Sequence, residues 1–408
     1  MRILLAHTFY KQPGGEDRVF EAESALLREH GHEVTHYRAH NAELDGAPVA
    51  AAMKTMWNRG AHSQLAQQLR RDRPDLVHFH NTFPLMSPAV FYAARSAGVP
   101  VVATLHNYRL LCPAATFLRA GRVCEDCAHG LPWRAAAHAC YRSSRAASAV
   151  TALMLGTHRL LGTWTRAVDL YIALSEFARR KFVEGGLPAE RVVVKPNFVA
   201  ADPGPAEKRE DFALFAGRLS AEKGIATLLE AWRCLEIPMR LKIAGDGPMS
   251  HAVIQASRSD PRIEWLGPLP ADGVTKWMKR AYILVLPSVW YEGLPLTLVE
   301  AFAAGLPAIA SDIGSLAELV SPGKTGLRFQ PGDAADLASR VTWCWNHRGP
   351  VGEMGRNARS QFESAYTPAE NYRRLMEVYR LAAMSHTQLT APGKSAQPAR
   401  NCISGSRI

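Results

Sequence analysis

Residues 281–311 read AYILVLPS, VWYEGLPL, TLVEAFAAG and LPAIAS in succession, and few folds accommodate that order. Tyr282–Leu286 is a β-rich apolar run closed by Pro287, of the kind buried on both faces of a parallel sheet. Glu292–Gly293–Leu294–Pro295 makes a turn. Pro295 fits a first helical position, apolar residues continue to Ala304, and Gly305 stands where a C-cap glycine belongs. A helix therefore starts just past a strand's carboxyl end, where open α/β sheets bind ligands and where free N–H groups attract phosphate. Glu292 lies in the loop and Glu300 eight residues on, about two helical turns beyond the start. Either glutamate alone reads as surface polarity; together they flank a phosphate-sized site.

The rest of the chain follows the same pattern. Arg2–Thr8 is a first buried strand; it runs into Phe9–Gly15, which ends in the pair Gly14–Gly15, and helical periodicity follows through His30. A glycine pair at a first turn lets backbone approach phosphate closely. G-x-G-x-x-G is missing, so this is no dinucleotide fingerprint. After a second strand opening at Gly31–Val34 come Leu76–Asn81, Val99–His106, Leu170–Ser175 and Val192–Asn197. Each ends in a polar residue, which delivers His80, His106, Ser175 and Asn197 to the carboxyl edge of a parallel sheet. A lone histidine in such a place is most often structural. Asn197 to Arg209, with Pro203, Gly204 and Pro205, reads as a linker. A second set of strands follows at Phe212–Leu219, Arg240–Gly247, Ile263–Gly267, Tyr282–Ser288, Pro307–Ser311 and Gly326–Phe329. In Gly217–Gly224 (GRLSAEKG), Arg218 and Lys223 stand five apart across a turn and can reach one diphosphate, although loop cations are commonly just solvated. Gly245–Pro248 and Glu264–Gly267 are, by themselves, ordinary turns.

At 408 residues the chain exceeds one ordinary core, and two domains are expected. No run of about 18 uncharged apolar residues occurs, and Met1–Thr8 is too short for a signal segment, so a cytoplasmic protein is expected. The net charge of +11 is uneven: residues 1–200 carry 24 Lys/Arg against 16 Asp/Glu, whereas 201–385 carry 21 of each. A basic first half suits an anionic membrane surface, a phosphorylated acceptor or nucleic acid, and equally plain solubility. Between Asn107 and Trp164 lies a basic insertion with Cys112, Cys124, Cys127 and Cys140, spaced C-x11-C-x2-C-x12-C. In a reducing compartment this favours a tetrahedral thiolate zinc site, while free thiols and redox chemistry stay open because the outer spacings match no standard finger. The apolar stretch AASAVTALMLGTHRLLGTW reads as a helix that either packs under the domain or lies on a membrane beside the arginines of the insertion. Glu363–Ala383 reads as an amphipathic helix, and Met384–Ile408 as disordered.

The E-x7-E pattern of Glu292–Glu300 with EGLP inside it, supported by Gly217–Gly224 and the KPN of Lys195–Asn197, resembles the retaining family 4 glycosyltransferases of bacterial polysaccharide biosynthesis. Over about residues 2–383 the resemblance implies the α/β GT-B fold, two facing Rossmann-like domains with a cleft between them. Residues 1–197 would form the acceptor-side domain with its insertion at 107–164, 198–209 the linker, 210–365 the nucleotide-sugar domain, and 366–383 a helix crossing back, before a tail at 384–408. The implied activity is retaining transfer of a hexosyl unit from a nucleotide diphosphate sugar to an acceptor hydroxyl, for a cell-surface polysaccharide or glycolipid. The resemblance places Arg218 and Lys223 on the diphosphate, Glu300 on the ribose, Glu292 on the sugar hydroxyls and His106 beside the transferred sugar. It places Gly14, Gly15, Gly245, Gly247, Leu266, Gly293 and Leu294 along the donor. No D-x-D pattern occurs, so no carboxylate-held catalytic metal is expected, and zinc on the cysteines would be structural. Expected partners are the donor, a sugar or lipid-linked sugar acceptor and an anionic surface on the inner face of the cell membrane. An epimerase or sugar phosphorylase would share the fold; a nucleic-acid-binding role lacks aromatic interleaving or a recognised module, and no nucleic acid partner is expected.

Overall fold

The computed structural model describes residues 1–10, 14–44 and 48–390. The first domain carries β1 (Arg2–Phe9), β2 (Glu33–His40), β3 (Leu76–Asn81), β4 (Val101–Leu105), the hairpin strands β5 (Leu118–Arg119) and β6 (Arg122–Val123), β7 (Leu170–Ala173) and β8 (Val192–Val194). The second carries β9 (Phe212–Ala216), β10 (Arg240–Ala244), β11 (Ile263–Gly267), β12 (Ile283–Leu286), β13 (Ala308–Ser311) and β14 (Gly326–Phe329). Two parallel six-stranded sheets result, ordered β2-β1-β3-β4-β7-β8 and β11-β10-β9-β12-β13-β14. Their central strands are buried residue for residue, as in β3, β4, β9 and β12, because helices cover both faces.

In each sheet the strand order reverses direction next to the first strand, and crevices open at such points. β9 and β12 pair only at Ala213–Ile283 and Leu214–Leu284. Beyond those pairs the carboxyl ends part, leaving their loops to build the site.

The chain returns to the first domain through the helix Pro368–Thr390, whose Leu375, Val378, Tyr379 and Ala382 pack against Ile3, Leu5, Val102 and Ile172. The expected helix Glu363–Ala383 both starts and ends too early: Glu363 belongs to the preceding helix Arg348–Ala365, and the last helix runs past Ala383. His386 is buried and its Nδ1 lies 3.1 Å from Asp169 Oδ2, and that anchor carries the helix on to Thr390. The disordered tail expected beyond it falls, from residue 391, outside the described residues.

A buried polar seam joins this helix to the first sheet. Lys195 Nζ donates to Glu23 Oε1 at 2.5 Å and to Asn371 Oδ1 at 2.6 Å. His78 contacts Tyr379 Oη at 2.9 Å and Thr104 Oγ1 at 2.7 Å, and His80 Nδ1 lies 3.1 Å from His106 Nε2. Burial above all, with the nearby Lys195 charge, holds the imidazoles of His78, His80 and His106 below 6.5, His78 at about 4. All three are therefore neutral at physiological pH.

Two outcomes follow. Lys195→Met strands a buried carboxylate and should cost about 3–5 kcal/mol in urea unfolding of the first domain, most of it recovered by adding Glu23→Leu; a loss below about 1 kcal/mol would contradict the seam. Unfolded histidines titrate near 6.5, so as pH falls the unfolded chain takes up protons before the folded one. The stability held by the neutral imidazoles is thus full above pH 6.5 and lost below it, at about 1.4 kcal/mol per pH unit for each histidine. Urea midpoints that stay level from pH 8 to 5 would count against this.

Candidate active site

The loops that follow β9 and β12 meet at the reversal point of the second sheet. Gly224 has φ +72°, and a Cβ there would stand 1.8 Å from the carbonyl oxygen of Pro287. Only glycine lets the two loops approach so closely. The Val289 N–H donates to Glu222 O at 2.9 Å across the same seam. This contact sets Lys223 Nζ 2.6 Å from Glu292 Oε1, which also accepts from Ser288 Oγ at 2.7 Å. Glu292 is buried. Burial alone would raise its pKa, but the Lys223 charge and the hydrogen bonds from Lys223 and Ser288 outweigh it and leave the carboxyl below its usual range. Glu292 is ionised at neutral pH.

Neighbouring loops close up alongside. A Cβ on Gly245 would stand 1.9 Å from Gly217 O, and the Gly245 N–H donates to Gly267 O at 2.8 Å. Leu219 N–H donates to Asp246 O at 2.9 Å, next to Gly247. Leu266 is half-buried against the domain core. Arg218 is exposed, and among the described residues it has no ion-pair partner.

The first domain supplies the opposite wall. His106 immediately follows β4, and a Cβ on Gly293 would stand 2.6 Å from its carbonyl oxygen. The Glu292 carbonyl accepts from Tyr108 Oη at 3.3 Å and from Ser315 Oγ at 3.0 Å. At the first βα turn the Gly14 N–H donates to Asp17 Oδ2 at 2.7 Å, and the other oxygen of Asp17 lies 2.6 Å from His7 Nε2. A Cβ on Gly15 would stand 3.5 Å from Leu296 Cδ1, so Gly15 faces the second domain. A cleft of about 800 Å³ runs beside this junction, lined by Asp17, Arg18, Asp272, Lys276, Leu296 and Glu300 among others.

One expectation needs correction, and two candidate residues have surroundings the sequence did not show. The helix spans Leu296–Ala303 with Pro295 as its extended cap, so Glu300 lies little more than one turn inside rather than two. Leu294 packs in the hydrophobic core; its backbone alone can face a ligand. Glu300 is paired across the cleft with Arg18. Arg18 escaped the sequence reading because nothing local marks a partner 282 residues away. Ser288 could have been found, since it sits at a strand end like His106.

Cys112, Cys124, Cys127 and Cys140 gather around one small cavity. Among the described residues the one group of three or more His, Cys, Asp or Glu ligand atoms lying within 4.8 Å of one another is instead Glu23, His78 and His80. Lys195 already neutralises that glutamate and both nitrogens of His78 are engaged, so the trio belongs to the buried seam.

Comparison with known proteins agrees with this geometry. Residues 13–202 match the model described as Glycosyltransferase Family 4, and residues 210–347 the model described as Glycosyl transferases group 1. An exopolysaccharide phosphotransferase of Streptomyces coelicolor is 32% identical over 186 residues, 43% of this chain but 19% of that protein. The glycogen synthase of Mycobacterium tuberculosis is 30% identical over 314 residues, 72% of this chain and 66% of that one. The chain thus spans less than two thirds of either relative's length. Anabaena HepE, solved with UDP-glucose, superposes with a TM-score of 0.65 at 18% identity, covering 93% of this chain and 100% of that one, which speaks for the fold. The chain belongs to the family 4 glycosyltransferases and has their GT-B fold.

Proposed function

We propose that this chain is a retaining glycosyltransferase that moves a hexosyl unit from a nucleotide diphosphate sugar to an acceptor hydroxyl without a catalytic divalent ion. The observation that carries the reading is the Lys223–Glu292 pair at the sheet's reversal point, with the uncommitted Arg218 on the same loop. Arg218 and Lys223 stabilise the departing diphosphate, helped by the N–H groups at the start of Leu296–Ala303. Glu300 binds the ribose hydroxyls once Arg18 releases it, and ionised Glu292 holds hydroxyls of the sugar. His106, a neutral imidazole, hydrogen-bonds the sugar without adding positive charge. Gly14, Gly15, Gly245, Gly247 and Gly293 let backbone come close to the donor, with Leu266 and the Leu294 backbone beside them. The UDP-glucose held by HepE makes uridine donors the first to test.

The acceptor is assigned to a cell-surface polysaccharide or glycolipid met at an anionic membrane. No helix among the described residues is long and apolar enough to cross a membrane. Val49, Met53, Trp57, Leu131, Trp133, Leu153, Leu160 and Leu161 are nonetheless exposed, on segments that pack together around the helix Arg145–Leu160. Arg134, Arg142 and Arg145 lie among them in a domain with excess positive charge.

UDP-, GDP- and ADP-sugars should first be screened for thermal protection, since a bound donor stabilises by mass action. With the donor so found, Arg218→Ala or Lys223→Ala should lose at least about a hundredfold in kcat/KM, the equivalent of about 3 kcal/mol. Glu300→Gln should mainly raise the donor KM, and Glu292→Gln mainly lower kcat. Turnover should survive EDTA, and NMR of the product should show the donor's anomeric configuration. Near-normal turnover in either cation variant, or an inverted product, would refute the mechanism. Cosedimentation with anionic but not neutral vesicles, lost at high salt or in Arg134/Arg142/Arg145→Gln, would support the membrane assignment, and equal binding to both would remove it.

A further inference from the structure

We propose that Cys112, Cys124, Cys127 and Cys140 hold a structural zinc ion that braces the loop carrying Glu292. The four residues come from three separate segments: the loop after β4, the turn after the β5–β6 hairpin, and the stretch following the short helix Arg134–Ala137. All four line a single cavity of about 20 Å³, room for about one water-sized sphere. Arg119 and Arg134 line the same cavity; both also pair with Asp126, which leaves one net positive charge beside a doubly negative zinc tetrathiolate.

The surrounding backbone calls for a cross-link. Between residues 107 and 144 regular structure amounts to two-residue strands and one four-residue helix. Yet Ala115, Phe117, Ala120, Ala139, Arg142 and Ser143 all hold positive φ, between 49° and 67°. Non-glycine residues stay there only where their surroundings over-determine the conformation. One ion tying three segments together does so.

The sulfurs are not yet in mutual coordination range, since no three of them lie within 4.8 Å of one another. Zinc–sulfur distances of about 2.3 Å therefore require sulfurs to change χ1 well, a movement that leaves the backbone in place. Each thiol gives its proton to solvent as its thiolate binds, and nothing is oxidised.

Within the C-x-x-C, Glu125 accepts from Tyr291 Oη at 2.9 Å and from Lys181 Nζ at 2.9 Å. Tyr291 immediately precedes Glu292, so the cysteine loop is one residue from the proposed sugar-binding carboxylate.

The test uses the full chain purified without chelator and does not depend on the transferase reading. Elemental analysis should find about one zinc per chain, and cobalt(II) exchanged into the site should give the intense visible absorption of a tetrahedral thiolate set. A thiol reagent should gain four reactive groups on chelation. Cys127→Ser should lose the metal, with Cys140→Ser as the alternative if that variant does not fold. Cys234→Ser and Glu125→Gln, which leave the four thiols intact, should keep it. Fully stable protein without metal would overturn the proposal, as would cysteines that react only after a reductant, the signature of disulfides.

Discussion

Everything in the second domain's half of the cleft depends on the close approach of the loops after β9 and β12. A side chain at Gly224 would collide with the Pro287 carbonyl, push the loops apart and separate Lys223 from Glu292. The pair itself is poor evidence of stability. Lys223 is one-quarter exposed and Glu292 nearly enclosed, so the cost of removing both charges from water offsets much of their attraction. Its value is orientation. Ser288 and Lys223 fix the carboxylate, Tyr108 and Ser315 fix the carbonyl of the same residue, and the charges are in place before any substrate arrives.

The first domain is held by a different device. Lys195 stands just before the linker, and Asn371 and Tyr379 lie on the returning helix. All three touch the buried seam of Glu23, His78 and His80 that ends at His106. Both strands of chain that cross between the domains are therefore anchored in the network that positions the cleft-facing histidine. Moving one crossing would strain hydrogen bonds in a region with no water to replace them.

The sheets were legible because parallel strands buried on both faces are written as apolar runs, as at β3; the bounds of β11 and β14 were also read correctly, although both are edge strands and only partly buried. Strand ends were read too far, as at β8, because an apolar or polar residue says nothing of where the ladder stops. The pairing of Lys223 with Glu292 was not legible. Each residue announced itself on its own loop, but the contact depends on Gly224 meeting a backbone carbonyl 63 residues away. The last helix was read from Glu363, which belongs to the preceding helix Arg348–Ala365, because the apolar period runs on through the break before Pro368, and its extension to Thr390 rests on His386 finding Asp169, a tertiary partner outside any local pattern.

If Glu300 binds the donor ribose as proposed, the Arg18–Glu300 contact sets the terms on which the donor enters. Arg18 is half-exposed and Glu300 mostly covered, and pairs open to solvent on one side contribute about 0–1 kcal/mol. A donor ribose that offers two hydroxyls to Glu300 replaces the lost charge pair with hydrogen bonds to a charged acceptor, each worth about 1.5–3 kcal/mol net. Displacement therefore favours the donor at little cost. Released, the guanidinium stays on the first turn of the helix that follows Gly14–Gly15, at the rim of the same cleft, where a diphosphate's negative charge is the nearest thing for it to meet. On that reading, a weak contact between the domains before binding would yield a cation to the donor afterwards, and closure of the cleft would depend on the ligand rather than on the protein alone.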